Sequence, residues 1–168
     1  MTINTLKVLH DTTVDGPGLR TSIYCAGCRH QCTGCHNPQS WTFGAGEERT
    51  TDDLLREVMA DPFADVTFTG GDPLYQAAAF AELAQRIKAT SKKTIWCYTG
   101  FHYEDLLHDA DAQKLLLYVD VLVDGPFVQS KREEDLLFRG STNQRIIDIP
   151  KSVKAGDIVL WQPESFDI

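Results

Sequence analysis

Short apolar runs alternate along the chain with stretches whose apolar residues recur every three to four positions. Lys7–Leu9 predicts a first strand, and Thr21–Cys25, β-branched and aromatic, predicts a second. Val66–Thr69, Thr94–Tyr98 and Val119–Val123 predict three more, the last apolar enough to be buried on both faces. Thr50-Thr51-Asp52-Asp53 predicts a helix start, because a hydroxyl can cap the free amides and carboxylates suit the positive helix end. That helix runs to about Ala60, with Leu54, Leu55, Val58 and Met59 apolar. Gln76–Lys88 predicts a helix with Phe80, Leu83, Ala84 and Ile87 on one face. Tyr103–Leu117 predicts a helix in two pieces around Asp109-Ala110-Asp111. Asp15-Gly16-Pro17-Gly18 reads as a turn, and Ile146–Ile149 and Ile158–Trp161 as late strands, the second after an Ala155-Gly156-Asp157 turn.

Strands alternating with helices imply βαβ units and a mainly parallel sheet, an α/β fold. The 168 residues fit one domain, 1–168. They are too few for a closed eight-stranded barrel of about 250 residues, which leaves a partial (β/α) barrel or an open sheet. Every strand but the first and the late ones delivers chemistry at its carboxyl end, the ligand-binding edge of parallel sheets. After Thr21–Cys25 comes a cysteine loop, after Val66–Thr69 comes Gly70-Gly71-Asp72-Pro73, after Thr94–Tyr98 comes Thr99-Gly100, and after Val119–Val123 comes Asp124-Gly125.

Composition narrows the class. No apolar run is long enough to span a bilayer, and no charged-then-apolar leader pattern opens the chain, so a cytoplasmic protein without a membrane partner is expected. The net charge of −8 argues against nucleic acid, whose phosphates need clustered Lys and Arg. Lys131-Arg132 is followed at once by Glu133-Glu134-Asp135 and reads as a solvated segment.

The five cysteines change the picture, because four of them, Cys25, Cys28, Cys32 and Cys35, fall within eleven residues. Such clustering favours metal or catalysis over disulfides. Four thiolates would close a tetrahedral zinc site; three on a cubane iron–sulfur cluster would leave one iron open to a substrate. Paired zinc cysteines are usually separated by about twelve residues or more, whereas only Arg29-His30-Gln31 stands between these pairs. A dithiol redox pair, Cys25/Cys28 or Cys32/Cys35, is the third reading. Gly70 and Gly71, without Cβ, would let a ligand approach the backbone. Asp72 has two competing uses: accepting from a ligand ammonium, or capping the helix that follows. Cys97, in an apolar strand, reads as packing. His30 and His36 read as local hydrogen-bonding groups, and His10, His102 and His108 as surface or loop residues.

Cys28-x3-Cys32-x2-Cys35 resembles the radical S-adenosylmethionine signature, and Thr69-Gly70-Gly71-Asp72-Pro73-Leu74 resembles that superfamily's glycine-glycine-acid motif. Asp15-Gly16-Pro17-Gly18-Leu19-Arg20 is similar to the segment preceding the cluster in glycyl-radical-enzyme activases. Asp120–Gly125 and Arg139-Gly140-Ser141-Thr142-Asn143-Gln144-Arg145 resemble the anaerobic ribonucleotide reductase activases. The resemblance implies a radical S-adenosylmethionine core over about 6–145, with 146–168 as a C-terminal extension. It implies a [4Fe–4S] cluster on Cys28, Cys32 and Cys35, which are the catalytic and metal residues. S-adenosylmethionine would chelate the open iron, with Gly70, Gly71 and Asp72 along its amino acid portion and Gly34, His36, Thr99 and Asp124 nearby. The implied chemistry is one-electron cleavage to a 5′-deoxyadenosyl radical, which takes hydrogen from a glycine of the large reductase subunit. An electron donor such as a flavodoxin would reduce the cluster. Other small radical enzymes, either a different glycyl-radical activase or a deazaguanine synthase, and a zinc-stabilised binding module are the alternatives. Cys25 is a thiol more than the signature requires; its place at a strand end argues against ligation.

Overall fold

The computed structural model describes residues 1–164; the last four positions of the expected C-terminal extension lie outside the described residues. Thr2–Thr12 (β1) doubles back through the Asp15–Gly18 turn into Arg20–Cys25 (β2), and Glu47–Thr50 (β3) pairs along the other side of β1. There follow Thr51–Met59 (α1), Asp65–Gly70 (β4), Ala77–Thr90 (α2), Ile95–Tyr98 (β5), Tyr103–Leu106 (α3), Ala110–Leu116 (α4), Val121–Asp124 (β6), Arg145–Asp148 (β7) and Ile149–Ala155 (α5). The strands form one unclosed sheet in the order β3-β1-β2-β4-β5-β6-β7. The middle four, β2, β4, β5 and β6, are parallel, and the pairs outside them are antiparallel. The fold is therefore mixed α/β, with its parallel part confined to the centre.

Local chemistry explains the boundaries. Thr50 caps α1 by accepting from the Asp53 amide at 3.1 Å, with Asp52 and Asp53 in the first turn. Asp109 caps α4 from the Ala112 amide at 2.8 Å, which breaks the 103–117 helix where its acidic pair predicts. Two elements differ from expectation. β3 is a fully polar edge strand, Glu47-Glu48-Arg49-Thr50, without the apolar alternation that marks a half-buried one. α5 starts at Ile149-Pro150: proline at a helix start keeps the helix, because its missing N–H is an orphan there anyway. Ile158–Trp161 lies beside β7 with one bridge, Ile147 opposite Leu160.

The main core lies on the helix-covered face of the sheet. Ile23, Phe68, Ile95, Cys97, Leu122 and Ile147 meet Leu54, Phe80, Leu83, Ile87 and Leu115 there. Ile3 and Ile147, both 0% exposed, extend the packed body past both ends of the expected 6–145 core. The other face carries a second cluster, in which Trp96, Val121 and Val123 pack with Tyr98, Phe138, Ile146 and Trp161. Over this face lies the Asp15–Gly18 turn: Thr67 Oγ1 donates to the Asp15 carbonyl at 2.7 Å, and Tyr24 donates to its carboxylate at 2.7 Å. Arg20, fully buried, donates to Thr67 and to the Pro17, Val66 and Thr94 carbonyls. Desolvation lowers its pKa to about 10, opposed by Asp65, so it stays charged at neutral pH. A cavity of about 830 Å³ opens at this amino-terminal edge of the parallel strands, lined by Pro17, Arg20, Trp96, Phe138 and Trp161 among others. The cysteine loop lies at the opposite edge.

Candidate functional site at the carboxyl edge of the parallel strands

β2 ends at Cys25 and β4 at Gly70, and these two residues stand opposite each other in the parallel register. The chain beyond them stays paired: the Gly71 amide donates to the Cys25 carbonyl at 2.7 Å, and the Asp72 amide to the Gly27 carbonyl at 2.9 Å. The pairing thus welds the start of the cysteine loop to the Gly70–Asp72 segment. A Cβ on Gly70 would lie 2.4 Å from the Cys25 nitrogen, and one on Gly71 would lie 2.6 Å from the Gly27 oxygen. The close approach that the glycine pair permits is made by the protein's own backbone.

Asp72, 1% exposed, serves the cap and more. Its Oδ1 accepts from the Leu74 amide at 3.0 Å and caps the short Pro73–Gln76 helical turn. Its Oδ2 accepts from Thr99 Oγ1 at 2.9 Å and the Gly100 amide at 2.9 Å, and pairs with His30 Nε2 at 2.7 Å. The cap is made by one oxygen, and the other is taken by three protein partners rather than left for a ligand ammonium.

His30 was legible only as a local group, yet its partner is 42 residues away. Its ring stands edge-on to Phe101 at 4.5 Å and beside Tyr75 at 5.8 Å. It also fills the space a Cβ on Gly100 would need, 2.6 Å from that position. The middle of the Cys28–Cys32 segment is thereby latched to β4 and β5. Its position between two clustered cysteines is the one sequence signal that singles it out. His30→Ala should cost about 1–3 kcal/mol in urea unfolding of the cluster-free protein, from a lost buried bond and a cavity. Unchanged stability would show that the latch carries no load.

Cys28, Cys32 and Cys35 are half-buried on this loop, while Cys25 and Cys97 are buried. The Cys35 amide donates to the Cys32 carbonyl at 3.1 Å, and the Asn37 amide reaches Cys35 Sγ at 3.4 Å. Burial pushes the Cys28 thiol up to about 11, with Asp72, Cys32 and Cys35 adding to the rise and a His30 backbone bond opposing it. Binding metal there displaces a proton at neutral pH. Cys25 is different: its side chain sits in the main core, and burial pushes its thiol far above the ordinary range. Three half-exposed thiols on one loop fit a cluster with an open iron. A single zinc ion, at Zn–S bonds of about 2.3 Å, needs its sulfurs about 3.8 Å apart, whereas these three do not all lie within 4.8 Å of one another. Among the described residues, the one group of three metal-binding side chains with ligand atoms within 4.8 Å is His102, Glu104 and Asp124.

Two of these three, Glu104 and Asp124, are tied up by a cation. Asp124, 0% exposed, accepts from Arg145 Nε at 3.0 Å, Arg145 Nη2 at 2.5 Å and the Tyr103 amide at 2.8 Å. Arg145 also forks onto Glu104 at 2.7 and 2.9 Å, holding that carboxyl down to about 2. So Gly70, Gly71, Asp72 and Thr99 come together with the cysteine loop. Gly34 and His36 lie on the far arm of that loop. Asp124 ends β6, next to β5, with its carboxylate engaged by Arg145, a partner missed in the sequence.

A family model described as a 4Fe-4S single cluster domain matches residues 14–147. A Vibrio cholerae protein is 39% identical over 142 residues, 79% of this chain and 90% of its own length. A Haemophilus influenzae protein is 34% identical over 154 residues, 86% of this chain and 97% of its own. An Escherichia coli K12 protein is 34% identical over 139 residues, 78% of this chain and 89% of its own. All three bear the name anaerobic ribonucleoside-triphosphate reductase-activating protein.

Proposed function

The chain belongs to the anaerobic ribonucleoside-triphosphate reductase-activating protein family and carries a 4Fe-4S cluster domain, and from that premise we propose that it is a radical S-adenosylmethionine activase of the reductase. In this reading residues 1–168 are one domain, and the open sheet is a partial (β/α) barrel. Cys28, Cys32 and Cys35 hold three irons of the [4Fe–4S] cluster. The fourth iron, without a cysteine, would be left to S-adenosylmethionine. Bound together, the two groups would supply one-electron cleavage of the sulfonium's S–C5′ bond, leaving methionine and a 5′-deoxyadenosyl radical that would take hydrogen from a glycine of the reductase's large subunit. A small donor such as a flavodoxin provides the electron, and the cytoplasm is the compartment.

The observation that carries the reading is the weld between the two motifs. Gly71 and Asp72 bond to the backbone of Cys25 and Gly27, and Asp72 holds His30, so the cluster loop and the glycine-glycine-acid segment are one rigid edge. Rigidity matters because orientation at the reacting centre is worth many kilocalories per mole. Gly70, Gly71 and Thr99 border the cofactor's amino acid portion, with Asp72 fixing Thr99 and Gly100 from behind. Gly34 and His36 border it from the other arm of the loop. Asp124, held by Arg145, supports the β6 side of the site. Among the described residues no helix is long and apolar enough to cross a membrane.

The test is electron paramagnetic resonance of the anaerobically reconstituted, dithionite-reduced protein with and without S-adenosylmethionine. The cluster signal is expected to change on addition, and 5′-deoxyadenosine to accumulate. A zinc-loaded protein, or a cluster signal indifferent to the cofactor, would end this reading.

A further inference from the structure

Of the 139–145 segment only Arg145, through Asp124, has a part in the site above. In the structure the segment does one thing repeatedly: it bonds the chain that follows β6. Gln144 Nε2 donates to the Gly125 carbonyl at 3.0 Å, and Asn143 Nδ2 to the Pro126 carbonyl at 2.7 Å. The Val128 amide donates to buried Ser141 Oγ at 3.2 Å, and the Thr142 amide to the Lys131 carbonyl at 2.9 Å. Gly140 leaves room for the Phe127 ring, which a Cβ would meet at 3.0 Å. Gln144 Oε1 meanwhile closes its own loop on the Gly140 and Ser141 amides, at 2.8 and 3.2 Å. One side-chain amide thus shapes the clamp and grips its target.

The clamped segment reaches the cysteine loop. Gln129 lies against Gly34, where a Cβ would stand 3.0 Å from its side-chain amide carbon. The Phe127 ring lies 5.4 Å from the His36 ring. Gly34 and His36 flank Cys35 on either side. The chain of contact therefore runs from 139–145, through 125–131, to the arm of the loop that carries the third cysteine.

We infer that Arg139–Arg145 is a clamp and Gln144 a positioning residue: through Gln129 and Phe127 it fixes the Gly34–His36 arm as one wall of the cofactor site. This rests on the reading that the arm borders S-adenosylmethionine. Gln144→Glu is the informative variant. It keeps the acceptor that closes the loop but replaces the donor to the Gly125 carbonyl with an oxygen. Gln129→Ala removes one of the relay's two far contacts, that with Gly34, and leaves Phe127 and the clamp in place.

The full chain is compared in two measurements. In the cluster-free protein, amide hydrogen exchange of residues 33–37 and 125–131 is expected to speed up in Gln144→Glu while the core strands stay protected. In the reconstituted protein, both variants should keep parental iron and sulfide. The S-adenosylmethionine titration of the cluster signal should move about tenfold weaker, since slight misplacement of a wall costs binding. KM should rise with kcat nearly kept, and the double variant should be no worse than Gln144→Glu alone, because both act on one relay. Exchange at 33–37 unchanged in Gln144→Glu would overturn the clamp, whatever the cofactor does. So would a titration unmoved in Gln144→Glu while exchange at 33–37 speeds up. A parent protein blind to S-adenosylmethionine, with exchange altered as expected, would leave the clamp standing and remove the proposed cofactor instead.

Discussion

Alanine at Cys28, Cys32 or Cys35 is expected, each alone, to abolish S-adenosylmethionine cleavage and to strip most iron from the reconstituted protein. Alanine at Cys25 is expected to retain both. The four thiols differ in place rather than in spacing. Cys28, Cys32 and Cys35 stand half-buried on the loop beyond β2, whereas Cys25 is the last residue of the strand and is 0% exposed. Its side chain packs with the main core, and desolvation holds its thiol protonated. A thiol must lose its proton and reach the metal to ligate, and Cys25 does neither without pulling β2 out of the sheet. Losing its sulfur should cost only the packing term, about 1 kcal/mol in urea unfolding. Iron content, cluster spectrum and 5′-deoxyadenosine yield measured across the four variants decide the matter. Equal loss in Cys25→Ala would refute the ligand assignment.

Gly70→Ala is expected to be the most damaging single methyl group in the chain. The residue has φ +105°, and its added Cβ would lie 2.4 Å from the Cys25 nitrogen and 2.6 Å from the Cys25 oxygen. Those are backbone atoms of a paired strand and have no rotamer to escape into. Backbone strain and forced separation of β2 from β4 together should cost about 3–5 kcal/mol. For a chain of this size that is a fall of about 10 °C in Tm. Gly156→Ala is the control. It too has positive φ, +69°, as the C-cap of α5, but a Cβ there meets nothing within 4 Å. It should cost about 1 kcal/mol, the conformational term alone. Gly71→Ala, without positive φ, should act through Gly27 and lower cluster occupancy more than its modest loss of stability suggests. If Gly70→Ala and Gly156→Ala melt alike, the close approach of the two strands is not what the glycine is for.

The periodicity of the chain was sufficient for the central strands and main helices, because each buries one face or one stripe and must repeat accordingly. Val66–Thr69, Gln76–Lys88 and the break at Asp109 all stand within a few residues of β4, α2 and the start of α4. The cysteine spacing and the glycine pair were equally legible, since residue type and order are local properties. What β3 and α5 are was not: an all-polar edge strand has no buried face to leave a pattern, and a proline reads alike as breaker and as helix start. Residue order alone was enough for an α/β chain with four clustered thiols and a glycine-glycine-acid turn at its strand ends. Only the tertiary structure decided that His30 belongs to Asp72, Asp124 to Arg145 and Gln144 to Gly125, and that the glycines admit backbone. Those pairings span up to 42 residues, and distance along a chain carries no record of which polar groups will share a buried edge.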